Sequence, residues 1–357
     1  MPIPAASGDF AAFFPMLFDS IRPVSGTNGD VDPSDQLNQY VRPTASQLAS
    51  WRAVFQSLLA GDWDSAHLQA QIISLTYNVV QFLDARTDRT YYVLMEGLPG
   101  DIPVAVDHLS GSVTITDPLD PRRRGWGTYV FDPRPQRALS FSAPHLFDCF
   151  RTEVQAAEAF LGLRARTLLL AGTDRDQNTA DSPCDQAIPR RPFREADVAH
   201  TAESVFQMAF EEIYLSDATT WHLQFHGNAT CPVDVFLSNG VEAAPATHAT
   251  LYALSANIAA ASTAAAAGGP DVLTVDVFDG PGDCPLRGTT NMQMRFASGL
   301  PHASICHGNV VGPSRFIHVE QSRVARLAFP NDPSTMPGRN RGVVACGILA
   351  TFPLLVL

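Results

Sequence analysis

The stretch LSFSAPHLFDCF, Leu139 to Phe150, decides how the rest of the chain is read. It begins as an apolar strand, breaks at Pro144, and delivers His145 and Asp148 just past the break. Two later stretches repeat the arrangement. WHLQFHGN, Trp221 to Asn228, is a strand running into His226, and RFIHVEQSR, Arg315 to Arg323, is a strand running into Glu320. Strands that end in this way predict a site at the carboxyl rim of a sheet, where open α/β sheets place their ligands.

The flanking sequence points to the same architecture. Ala45 to Ala60 has apolar residues at helical spacing, with Thr44 or Ser46 as its cap. Tyr77 to Glu96 reads as strand, polar turn, strand. Gly127 to Ser142 reads as a second hairpin, with Pro133 and Pro135 in its turn. From Thr152 onward, helices and strands alternate. Helices are expected at Thr152 to Gly162, Ala199 to Tyr214 and His248 to Ala266. Strands are expected at Arg166 to Gly172, Thr220 to Phe225, Val233 to Ser238, Val272 to Phe278, Met292 to Phe296 and Phe316 to Glu320. This pattern predicts an α/β fold of three layers, α/β/α, around a mostly parallel mixed sheet covered on both faces. Residues 1–70 are expected to be an N-terminal extension with one helix, and residues 71–357 the catalytic domain. The last sixteen residues, from Gly342, carry no charge but include Pro353. A membrane span needs about 20 apolar residues, so a buried final element is expected and no membrane span.

Composition narrows the function. Hydrophobic residues make up 45% and charged ones 17%, as in a globular protein with a sizeable core. A net charge of −12 leaves no basic field for collecting phosphates, which excludes nucleic acid as a partner. All 24 basic residues are Arg, so Schiff-base and P-loop lysines are excluded. No Gly-x-Ser-x-Gly elbow occurs, which disfavours a serine hydrolase. Of the six cysteines, Cys184, Cys231, Cys284 and Cys306 sit in loop-like segments, while Cys149 and Cys346 sit in apolar runs and read as buried thiols. None forms a CxxC pair. Two loop disulfides fit an exported protein, favouring an extracellular or periplasmic location over the cytoplasm. Met1 to Ser20 lacks a basic n-region. Asn228-Ala229-Thr230 matches a glycosylation sequon beside His226.

The order of these residues resembles the zinc carboxypeptidase superfamily, whose outline is shared by N-formylglutamate amidohydrolases and aspartoacylase-like deacylases. The resemblance covers residues 77 to 357 by element order. It implies a zinc cofactor held by His145 and Asp148, from His145-Leu146-Phe147-Asp148, and by His226, with Glu320 as general base. Asp148 stands where the peptidases have Glu. Zinc ligation brings the pKa of bound water to about 7, so Glu320 can take its proton and pass it to a leaving amine. Arg175 is the first choice for gripping an oxyanion or a substrate carboxylate and Arg295 the second, with Asn178 and Asn291 beside them as substrate contacts. The implied reaction is hydrolysis of an amide bond in a peptide or an N-acylated amino acid. One alternative is a binding or structural protein on the same fold with a degenerate metal site, and another is a metal-dependent esterase or phosphoesterase. At the residue level, Asp197 and His200 read either as a helix start or as a rival metal pair. His318 alternates with Glu320 and shares its face.

Overall fold

A computed structural model describes residues 3–11, 13–14, 17, 40–97, 105–106, 122–146, 148–149, 151–178, 180–184, 193–241, 248–266, 271–280, 284–326 and 336–355. Most of the Gly-, Pro- and Ser-rich stretch before residue 43 lies outside them. Among the described residues eleven strands form one sheet: β1 (Ala5–Gly8), β2 (Tyr77–Asp84), β3 (Arg89–Glu96), β4 (Ala105–Val106), β5 (Thr128–Phe131), β6 (Leu139–Ala143), β7 (Thr167–Leu170), β8 (Trp221–Gly227), β9 (Val235–Ser238), β10 (Val275–Val277) and β11 (Phe316–Gln321). Their order is β10-β9-β11-β8-β6-β7-β5-β3-β2-β1-β4. The helices are α1 (Ala45–Leu59), α2 (Trp63–Ile73), α3 (Thr152–Leu163), α4 (Val205–Ser216), α5 (Ala249–Ala266), α6 (Met292–Ala297), α7 (Arg323–Arg326) and α8 (Met336–Thr351).

The four central strands β11, β8, β6 and β7 run parallel to one another, so their carboxyl ends share a rim. On either side, β9 and β5 run antiparallel to this block. Helices α1, α2, α4 and α6 cover one face. Trp51 and Phe55 of α1 pack on Tyr77 and Tyr129, and Phe210 of α4 packs on Phe316. Helices α3, α5 and α8 cover the other face, where Phe160 of α3 meets Tyr91 and α8 lies over Phe225. The fold is therefore the expected three-layer α/β/α arrangement around a mixed, mostly parallel sheet. Strand β8 explains the layering. Leu223 and Phe225 alternate with His222, Gln224 and His226, and both sets are buried because both faces are covered.

Several local expectations change. Gly127 to Ser142 is not a hairpin: β7 lies between β5 and β6, antiparallel to the first and parallel to the second. Thr167–Leu170 is buried along its whole length and takes a neighbour on each side, which the proline-rich turn could not reveal. Met292 to Phe296 is helical, not a strand. Asn291 caps it, accepting from the Met294 amide at 2.9 Å, and so short an apolar run fits either period. Helix α4 starts at Val205, capped by Ser204 accepting from Gln207 at 3.0 Å, so Asp197 and His200 lie in the loop before it. Within residues 1–70 the structure has strand β1, parallel to β2, and the start of α2 as well as α1; Phe10, Phe13 and Phe14 are buried in the main core.

The four loop cysteines form two disulfides, Cys184–Cys306 and Cys231–Cys284. Cys149 is a buried free thiol, as expected, whereas Cys346 is exposed. The bridges are consistent with a location outside the cytoplasm. Among the described residues no helix is long and apolar enough to cross a membrane.

Candidate metal centre

The rim of the parallel block gathers three buried polar side chains and the half-buried Arg175. His145 follows β6, His226 ends β8, Glu320 ends β11, and Arg175 follows β7. In the β8–β11 register Glu320 sits opposite His226 and His318 opposite Gln224, so all four share one face. Their rings crowd together: His145 and His226 centroids are 4.9 Å apart, and those of His226 and His318 are 4.2 Å apart.

One donor atom each from His145, Cys149 and His226 lie within 4.8 Å of one another. Cys149, not Asp148, thus joins the two histidines, and the reason is local. The Cys149 amide donates to the His145 carbonyl at 3.1 Å, closing one helical turn. Residues four apart on such a turn share a side, which brings the thiol to 3.6 Å from His145 Nδ1. Asp148 is turned outward, and its carboxylate lies 3.4 Å from Arg175 Nε. It belongs instead to an acidic group with Asp174 and Asp176.

Asp197 organises the inner wall. One of its oxygens accepts from His145 Nε2 at 2.9 Å and from His200 Nδ1 at 2.9 Å, while the other pairs with the Arg175 guanidinium. Burial alone would raise this carboxyl, but Arg175, His200 and His145 outweigh it and hold the group well below the usual range. An ionised carboxylate only accepts, so His145 Nε2 carries the proton and Nδ1 keeps the lone pair. Burial also keeps the imidazoles neutral. His145 is pushed down to about 4 and His318 to about 3, chiefly by desolvation, and His226 also falls, with neighbouring histidines adding to the effect. Neutral imidazole is the form that binds metal.

Glu320 is buried, with one oxygen 3.5 Å from His318 Nε2. Its Oε2 has no hydrogen-bond partner among the described residues. Desolvation pushes its carboxyl up to about 8, against the lowering pull of Arg326 and Arg175. Burial likewise pushes the Cys149 thiol up to about 12, with nearby Glu320 contributing. The thiol lies 3.6 Å from the Gly227 carbonyl, to which it donates.

The remaining candidates are held elsewhere. Arg295 is buried and donates to the carbonyls of Thr289, Ile305 and Cys306, each at 2.9 Å, so it braces the loop that carries the Cys184–Cys306 bridge. Asn291 caps α6 and donates to Gln224 at 2.6 Å. Asn178 bonds Glu195 and the Ala196 amide, both at 3.4 Å. These substrate-contact expectations are therefore replaced by roles in bracing loops and capping a helix. The sequence reading did not single out Cys149 as a candidate donor, although its spacing of four from His145 was visible. It also left Asp197 undecided, because the loop that aims it has no local signature.

No family model and no curated protein matches the chain. Among solved structures it is similar to an N-formylglutamate amidohydrolase from Ralstonia eutropha (12% identity, TM-score 0.35, covering 62% of this chain and 95% of that one). It is also similar to a metallo-carboxypeptidase from Burkholderia cenocepacia (12%, 0.32, 83% and 67%). A bacteriophage poly-gamma-glutamate hydrolase is a third such structure (12%, 0.30, 62% and 86%).

Proposed function

We propose that the chain is a metal-dependent hydrolase that cleaves an amide bond in a peptide or an N-acylated amino acid, with His145, Cys149 and His226 as protein ligands and zinc as the ion. The observation that carries this reading is the convergence of those three donors at the parallel strand ends, with the unpartnered Glu320 oxygen beside them. The donor set suits zinc, which takes imidazole nitrogen and thiolate and in catalytic sites keeps one position open. Bound there, zinc supplies Lewis acidity, polarising a carbonyl and making water a stronger acid. The chain's own residues do the rest. Cys149 would hold the ion as thiolate, its proton passing to solvent as the metal binds. Asp197 keeps the proton on His145 Nε2, so that Nδ1 faces the centre. With a dication beside it to offset the desolvation, Glu320 would stay ionised, so that Oε2 could accept the proton of an attacking water and return it to the leaving amine. Arg175 places positive charge at the rim, where an oxyanion or substrate carboxylate would sit.

Three substitutions test the assignment. Glu320→Gln should abolish turnover of peptide or acyl-amino-acid substrates while stoichiometric zinc is retained. Cys149→Ala should weaken zinc binding about 10-fold or more, as expected when part of a metal site is removed, and Asp148→Asn should not. Zinc is read by elemental analysis of protein purified without chelator. A protein that holds stoichiometric copper, or no metal, would overturn the hydrolase reading. So would a Glu320→Gln variant with normal turnover.

A further inference from the structure

Behind His226 runs a chain of buried amide side chains whose direction is set at two backbone groups. His226 Nε2 lies 2.8 Å from Gln224 Oε1. Gln224 Nε2 donates to Gln293 Oε1 at 3.2 Å and to Ser142 Oγ at 3.3 Å. Gln293 Nε2 in turn donates to the Val198 carbonyl at 2.9 Å and to Gln207 Oε1 at 2.8 Å. Gln207 Nε2 donates to Glu211 at 2.9 Å, and Glu211 is met by His302 at 2.6 Å and by Arg52. Gln207, Gln224 and Gln293 are fully buried and Asn291 nearly so.

The oxygen and nitrogen of a carboxamide look alike, so direction must come from partners with only one possible role. The Val198 carbonyl can only accept. The Gln293 atom facing it is therefore the amide nitrogen, its oxygen faces Gln224, and Gln224 must turn its own nitrogen towards Gln293. A second anchor gives the same answer independently. The Met294 backbone amide can only donate, so Asn291 turns its oxygen to it and its nitrogen to Gln224. Gln224 Oε1 thus accepts from Asn291 on one side and can only accept from His226 on the other.

We propose that Gln224, Asn291 and Gln293 are positioning residues that hold the proton on His226 Nε2 and leave Nδ1 as the lone pair for a ligand. This rests on the metal-centre reading for its purpose, but not for its geometry. His145 and His226 then present the same nitrogen, one fixed by a carboxylate and the other by a neutral amide chain. Buried carboxamides do this without adding charge beside Glu320. Arg52, buried Glu211 and His302 only close the outer end.

The test reads the proton directly. In metal-free protein labelled with nitrogen-15 at histidine, two-bond nitrogen–proton correlations should show His226 in the Nε2–H form. Gln224→Leu should give a mixture of tautomers and weaken zinc binding about 10- to 100-fold, the usual cost of losing a hydrogen bond to a ligand's far side. Gln224→Glu, which keeps an acceptor, should retain the Nε2–H form. Arg52→Gln should also retain it, because the backbone anchors and not the surface charge set the direction. His226 found as Nδ1–H in the unaltered protein would overturn the proposal, and that measurement needs no variant. A Gln224→Leu variant with unchanged tautomer and unchanged zinc affinity would overturn it too. Unaltered protein that shows the Nε2–H form yet binds no zinc would sink the metal reading and leave the proton assignment standing.

Discussion

At Gly227 a methyl group would run into Arg326, a neighbour of the centre. A Cβ there would lie 2.3 Å from the Arg326 guanidinium carbon and 2.5 Å from both of its terminal nitrogens. Arg326 is itself tied to the Gln321 carbonyl at 3.1 Å, and the Gly227 carbonyl accepts from the Cys149 thiol. Gly227→Ala should therefore push a buried guanidinium off its seat. Overpacking of this kind costs about 1 to 3 kcal/mol, to be read as a lowered thermal midpoint; an unchanged midpoint would mean that Arg326 moves aside freely. His145, His226 and Glu320 stood out in the sequence because each ends an apolar run, where a polar side chain needs a reason. Cys149 did not, since a thiol in an apolar run is indistinguishable from packing until the turn from His145 is seen. Arg295 and Asn291 offered the right chemistry, but Arg295 is taken up by the carbonyls of Thr289, Ile305 and Cys306, and Asn291 by the Met294 amide and the Gln224 side chain on β8.

At the scale of elements, the clamp between α1 and α4 gives a pH dependence. Arg52 reaches from α1 to Glu211 and, at 2.7 Å, to Glu212 on α4. Burial opposes the charge of Glu211, but hydrogen bonds from His302, Gln207 and Arg52 outweigh it and hold its carboxyl below the usual value. A carboxyl lowered by folding stabilises the fold above its unfolded pKa, about 4.3, and that contribution disappears as pH falls through the folded value. Denaturation midpoints should therefore fall as pH drops below about 5, and Glu211→Gln should flatten part of that slope. An identical slope in the variant would remove Glu211 from the account. Helix α1 was legible because Thr44 and Gln47 form a capping box ahead of a clean helical stripe. Helix α6 was not, because six residues are too few to separate a period of 3.6 from one of 2.

For the whole molecule, alternation of helices and strands was enough to give three layers, but strand neighbours were not readable. The insertion of β7 between β5 and β6, and of β11 between β8 and β9, joins segments far apart in the chain. The disulfides staple equally distant loops, across 122 and 53 residues. Closing loops of this size restricts the unfolded chain by about 4 to 5 kcal/mol each, so Cys184→Ala/Cys306→Ala should lower the denaturant midpoint substantially. A small change would mean that native-state strain cancels the gain. The same molecule thus keeps two bridged pairs and two free thiols, one buried and one exposed. Thiolate, not thiol, reacts with oxidants, and burial holds Cys149 protonated. Surroundings harsh enough to seal the staples therefore leave the central sulfur unspent, and in metal-free protein peroxide should convert exposed Cys346 to its sulfenic acid long before it reaches buried Cys149.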